Sequence, residues 1–216
     1  MLKKTTRKGM QKRMIITIGR QFCSGGSEIG RKLSERLGIP YYDKNLYEYA
    51  AKNRGFSTKY VKEIEETPTG SFLYSLAMYP YVDFGTDNMI PSGIAIAADQ
   101  TNYILEKAKE GPCIFVGRCA DCVLSEREDV FNVFIYADAQ SRLKRAMERY
   151  NLSEKDAMKS IQQTDKHRAS YYNMNSQKKK WGVKESYHLL LDSGMLGIDG
   201  VVDILEKIYR DKTEKK

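Results

Sequence analysis

Long apolar runs are missing from this 216-residue sequence. None approaches the roughly 20 residues that a membrane-spanning helix needs, so no membrane partner is expected. No secretory leader is visible either, because the basic start is followed only by the short run MIITI. The expectation is a soluble, cytoplasmic protein. Histidine is nearly absent. His167 and His188 are the only two; they have no metal-site spacing and are expected to be structural. Cysteine is sparse as well. Cys23, Cys113, Cys119 and Cys122 include one C-x-x-C pair, a spacing that suits redox or zinc chemistry. Zinc would need two further ligands that the sequence does not offer. Ordinary reduced thiols are the simpler reading.

Acidic residues are absent from the first 13 positions, where Lys3, Lys4, Arg7, Lys8, Lys12 and Arg13 supply six cations. Those six account for most of the formal charge of +8 and leave the rest near +2. The charge is therefore no argument for a specific nucleic-acid surface. Residues 1–13 are expected to be a disordered, solvated arm, with polyanion binding as the alternative. Apolar content of 41% and aromatic content of 11% suffice for a packed core, either one domain or a domain with a small insertion.

What is present is an alternation of two patterns. MIITIG (14–19), IPYYD (39–43), PCIFVG (112–117), VFNVFIYA (130–137) and SYHLLLDSG (186–194) are short apolar runs of the kind found in buried parallel strands. Between them lie helical patterns. Ile29, Leu33 and Leu37 share one face, and Gly38 and Pro40 then stop the helix. Residues 45–54, the stretch FSTKYVKEIEE, residues 94–110, a long cationic stretch from Asp138 to Tyr172 and GIDGVVDILEKIYRDK complete the set. Strand–helix alternation predicts a parallel α/β sheet covered on both faces. Residues 67–93 are rich in aromatics, Gly and Pro, and either line a ligand cleft or pack as a small subdomain.

The first strand runs into GRQFCSGGSEIG. Successive amides in such a loop can point inward onto phosphate oxygens, and the following helix adds positive charge. The usual pattern, G-x-x-x-x-G-K-[ST], is not met. Counting from Gly19 puts Ser24 where glycine is expected and Gly25 where lysine is expected; a shift of one residue puts Gly26 there. The lysine is absent in either register. Alone, the loop would pass for a tight strand-to-helix turn, but the strand–loop–helix context favours anion binding. Arg20, Arg118 or a lid cation is then expected to supply the missing charge, Arg20 first. Ser27 is expected to touch phosphate or Mg²⁺. Arg118 closes a buried strand at its C-terminal end, where ligands gather in open parallel sheets. Arg142, Arg145 and Arg149 share a helix face that could equally be solvated; Arg145 is the candidate among them. Tyr171 and Tyr172 either stack on a base or pack the lid.

The segments GRQFCSGGSEIGRKLSERLGIPYYDK, FVGRCADCVL, NVFIYADAQSRLKRAMERY and YHLLLDSGMLGIDGVVDIL together resemble the cytidylate kinase-like family of P-loop nucleoside monophosphate kinases. The resemblance runs from Met14 to about Ile208. It implies a three-layer α/β/α P-loop NTPase fold with a five-stranded parallel sheet and a small helical insertion or lid. It also implies ATP and Mg²⁺ as cofactors and small-molecule nucleotides as partners. In this resemblance residues 14–210 form one domain, with an acceptor-side insertion at about 44–100 and a lid at about 150–185; 211–216 would be a frayed tail. Gly19, Ser24, Gly25, Gly26 and Ser27 match the phosphate loop, with Arg20 beside them. Arg118, Arg145, Asp165, Lys166 and Arg168 match phosphate-binding and lid positions, and Asp192 the aspartate near the last strand. Asp43 stands at the mouth of the monophosphate side. Val116 and Cys119 replace the two aspartates that flank Gly-Arg in the family pattern, and Asp121 could substitute only with a shifted backbone. The implied activity is transfer of the γ-phosphoryl of ATP to an acceptor such as CMP; the alternative is a nucleotide or phosphate sensor without turnover.

Overall fold

The computed structural model describes residues 13–43, 92–176 and 179–214, together with residues 48, 49, 52, 55 and 57. The basic arm, apart from Arg13, and the aromatic segment 67–93, apart from its last two residues, lie outside the described residues, as does most of the helical pattern at 45–66.

Five parallel strands form one sheet in the order β2-β3-β1-β4-β5. They are β1 (Ile15–Arg20), β2 (Tyr41–Tyr42), β3 (Ile114–Val116), β4 (Val130–Tyr136) and β5 (Leu189–Asp192). The α/β class and the parallel sheet are as the sequence alternation predicts. The central strand β1 pairs with β3 through Ile16–Ile114 and with β4 through Ile18–Val133. Its side chains alternate between two cores. Ile16 and Ile18 face helix α1 (Gly26–Leu37) and helix α6 (Ser193–Thr213), meeting Ile29, Leu33, Val201 and Leu205. Ile15 faces the opposite side with Phe115, Ile104 and Leu124. Ile104 belongs to helix α2 (Ser92–Glu110), and Ala120 in the same cluster opens the short helix α3 (Ala120–Val123). Burying each such aliphatic side chain contributes about 1.5–3 kcal/mol.

The long cationic helical stretch proves to be two helices, α4 (Ala139–Tyr150) and α5 (Glu154–Asn175). Asn151 takes a left-handed conformation (φ 51, ψ 47) and ends α4. Ser153 then caps α5, its hydroxyl accepting from Asp156 N–H at 3.2 Å. Helix α6 continues to Thr213, which is buried, past the point at which fraying was expected. Among the described residues, no helix is long and apolar enough to cross a membrane.

Candidate phosphate-binding site

The loop between β1 and α1 is pinned from below. Gln21 N–H donates to the Ile135 carbonyl at 3.0 Å. The Ser24 hydroxyl lies 2.9 Å from the Gln21 carbonyl and 3.1 Å from that of Ile135. The Ser193 hydroxyl donates to the Ser24 carbonyl at 2.6 Å. Ser24 thus spends its hydroxyl on the loop's own shape. Gly25 is left-handed (φ 82, ψ 3), and no side chain caps the N-terminus of α1. An uncapped helix start with a glycine entry is suited to an anion.

Gly26 opens α1, the place of the lysine in the shifted register. A Cβ there would stand 2.6 Å from Arg20 Cβ and 2.9 Å from Arg20 Cγ. The stem of Arg20 therefore fills the space a lysine would enter, which is the physical reason this loop carries glycine. The Arg20 guanidinium runs on over Gly117. That position requires glycine twice over, because its φ is 77 and a Cβ there would overlap Arg20 Nη1. The guanidinium ends 3.7 Å from Asp43 Oδ1. Asp43 also accepts from the Tyr41 hydroxyl at 2.9 Å; burial, then the Asp43 charge, pushes that phenol above its usual range.

Three consecutive residues after β3 have left-handed φ: Gly117 (77), Arg118 (56) and Cys119 (51). For each of the two non-glycines this costs about 1–2 kcal/mol. The turn sets Arg118 on the wall of a cavity of about 650 Å³, which Gly19, Arg20, Arg168, Tyr171 and Trp181 also line. Burial is the main cause that pushes Arg118 down to about 10 and Arg168 down to about 9. The charge of Arg20 depresses both further, while Asp43 partly offsets it. Arg118 and Arg168 both stay charged at neutral pH, and with Arg20 they make the cavity a crowded cationic chamber.

Helix α5 reaches the phosphate loop directly. Phe22 N–H donates to Asp165 Oδ1 at 2.7 Å, and Arg142 Nη1 pairs with the other oxygen of that carboxylate. One turn on, Arg168 Nη1 donates to the Arg20 carbonyl at 3.1 Å and its guanidinium lies over the Phe22 ring at 5.7 Å. Phe22 stacks in turn on Tyr150 with centroids 5.5 Å apart.

The structure therefore brings Gly19, Arg20, Arg118, Arg168 and Asp43 together. Gly25, Gly26 and Ser27 stand at the neighbouring helix start. Arg145 flanks the loop instead of the cavity: it pairs with Glu28, and its Cζ lies 3.6 Å from where a Gly25 Cβ would be. Lys166 is exposed, on the outer side of α5. Asp192 caps α6, accepting from Gly194 N–H at 2.9 Å and Met195 N–H at 3.3 Å. Asp121 is buried and accepts from the Tyr172 hydroxyl at 2.6 Å, so Tyr172 packs and bonds within the protein. His188 Nδ1 accepts from Asn132 N–H at 3.0 Å, while His167 joins the cavity lining. The Arg142–Asp165–Phe22 link is not visible in the sequence motifs, because Phe22 and Asp165 lie 143 positions apart.

The phosphate part of a nucleotide fits these residues, on the uncapped α1 start, the left-handed Gly25 and the cations beside it. Ser27, the residue expected to touch Mg²⁺, stands in the first turn of α1. Among the described residues no group of three or more His, Cys, Asp or Glu could hold a metal. Mg²⁺ held mainly by phosphate and water needs none.

Comparison with known proteins agrees with this fold. A structure of an uncharacterised protein from Eubacterium ventriosum is similar at 29% identity and a TM-score of 0.68, covering 91% of this chain and 98% of that one. Shikimate kinase from Bacteroides thetaiotaomicron is similar at 14% identity and TM-score 0.52, covering 90% and 97%. Shikimate kinase from Acinetobacter baumannii, in complex with shikimate, is similar at 12% and 0.51, covering 94% and 97%. The two shikimate kinases show the fold alone, that of P-loop kinases. No curated protein matches the sequence. The model of the cytidylate kinase-like family matches residues 15–195, and the chain belongs to that family.

Proposed function

We propose that this protein is an ATP-dependent phosphotransferase that moves the γ-phosphoryl group to a small phosphate-bearing acceptor, a nucleoside monophosphate such as CMP. The observation that carries the reading is the convergence of Arg20, Arg118 and Arg168 on one cavity, with Asp43 beside them, next to an uncapped helix start. Phosphoryl transfer asks little covalent chemistry of a protein; it needs alignment and charge neutralisation. The amides at Gly25–Ser27 would hold the ATP phosphates, with Arg145 at their flank. Arg118 and Arg168 would clamp the acceptor phosphate, for which a planar guanidinium fork is suited. Arg20 would bridge the two phosphate groups in place of the missing lysine. Phe22 and Tyr150 would exclude water from the mouth. The Ser27 hydroxyl would be the protein contact for Mg²⁺, which would supply charge neutralisation during transfer.

A second reading, nucleotide binding without turnover, is favoured by the glycine at position 26 alone. A coupled ADP-release assay across CMP, UMP, AMP and GMP separates the two. Turnover with one of them supports the enzyme; ATP binding with no release for any of them supports the sensor.

A further inference from the structure

The C-x-x-C motif takes no part in the chemistry above. Cys119 and Cys122 are both free thiols. They stand at the ends of a single turn: Cys119 precedes α3, and Cys122 N–H donates to the Cys119 carbonyl at 2.8 Å. That backbone bond from residue i+3 to residue i closes a turn and brings the two Cα atoms within about 7 Å. A disulfide asks for Cα atoms roughly 4.4–6.8 Å apart, a separation that one turn spans without refolding the backbone.

The two thiols are not equivalent. Cys119 is 7% exposed; its hydrogen bond to Cys122, with burial second, keeps its proton on. Cys122 is half-buried, and the hydrogen bond from Cys119 draws its thiol below the usual range, against the opposing effect of burial. The facing charges act in both directions. Asp121 Oδ2, 3.8 Å from Cys122 Sγ, raises it, while the Lys179 ammonium lowers it. Arg118 acts on Cys119 in the lowering sense. A more exposed thiol with a sheltered thiol behind it is the pairing of an attacking and a resolving cysteine. Cys119 also lines the cavity.

We propose that Cys119 and Cys122 form a redox-active dithiol, closed to an intramolecular disulfide by exchange with a small-molecule disulfide of the glutathione class. The Cys122 thiolate attacks one sulfur of the small disulfide and expels one thiolate, leaving a mixed disulfide. Cys119 gives its proton to that thiolate, and its own sulfur attacks Cys122 Sγ and expels the second. The protein loses two electrons and two protons, and the small disulfide becomes two thiols. Cys119 lines the cavity beside Arg118, so that wall differs between the two redox states. The dithiol stands independently of the phosphotransfer reading.

The test treats the folded, full-length chain with oxidised glutathione, blocks remaining thiols and maps the peptides by mass. The expected product is a Cys119–Cys122 linked peptide, two hydrogens lighter, that dithiothreitol reverts. Cys119→Ser should instead trap a glutathione adduct on Cys122, while Cys122→Ser should slow all reaction at Cys119 by about tenfold or more. A folded wild-type protein that yields only adducts, no change at all, or the link only after denaturation overturns the proposal.

Discussion

Asp165 on helix α5 accepts the backbone N–H of Phe22 in the phosphate loop at 2.7 Å. The loop and the helix that carries Arg168 are thus held by one carboxylate, whose second oxygen pairs with Arg142. Asp165→Ala removes both contacts and leaves Arg142, 11% exposed at its side chain, without its carboxylate and with only the Phe22 carbonyl at 3.4 Å. A hydrogen bond to a charged group contributes about 1.5–3 kcal/mol, and urea unfolding should show a loss of that order. Asp165→Asn keeps an acceptor for Phe22 and should lose less. Calorimetric titration should show ATP affinity reduced in the order wild type, Asn, Ala.

Arg20 is expected to carry the charge the loop lysine usually brings. Arg20→Ala should weaken ATP affinity or turnover by about tenfold or more, equivalent to ~1.4 kcal/mol. Arg20→Lys should recover little, because a point charge lacks the fork and Gly117 is shaped around the planar group. Unchanged kinetics in Arg20→Ala would remove the residue from the site.

Gly26→Ala tests whether the Arg20 stem is what keeps a side chain out of the loop. Its Cβ would meet Arg20 Cβ at 2.6 Å, and overpacking of this kind costs about 1–3 kcal/mol. A melting curve should register the loss. Gly117→Ala should cost more, since it adds left-handed strain to a clash with the Arg20 guanidinium.

Much of the fold and part of the site are legible in the sequence. Strands β1, β3 and β4 are short runs rich in β-branched residues, as burial on both faces selects, and β2 and β5 are short apolar runs of Tyr and Leu. Arg118 is visible because it ends such a run. The spacing along α5 is a signal the motifs overlook: Thr164, Arg168 and Tyr171, at helical spacing, line the cavity while Lys166 is exposed, which separates two cations the motif alone treats alike. Other relationships join positions too distant for any local pattern. Phe22 and Asp165 lie 143 residues apart and Tyr172 and Asp121 lie 51 apart; only the packed sheet brings them together. The consecutive left-handed residues at Arg118 and Cys119 carry no glycine or asparagine signal.

The depressed guanidinium groups give a pH dependence with a definite sign. In the folded, ligand-free protein Arg168 is pushed down to about 9 and Arg118 to about 10, both below their ordinary value. Between those points and the ordinary value the unfolded chain binds more protons, so these groups make stability rise with pH. Their charge, and with it affinity for an anion, falls over the same interval. Affinity for sulfate, which stays fully ionised throughout, should be flat from pH 6 to 8 and drop above about pH 9. A drop below pH 8 would show that other groups control binding.

The most direct measurement is ATP titration of the full-length protein by calorimetry, with Mg²⁺, followed by ADP release on adding CMP. The expected result is saturable ATP binding that Arg20→Ala weakens about tenfold, and ADP release that depends on a nucleoside monophosphate. No heat of association at millimolar ATP would contradict it, because the cationic cavity and the open helix start would then hold no nucleotide.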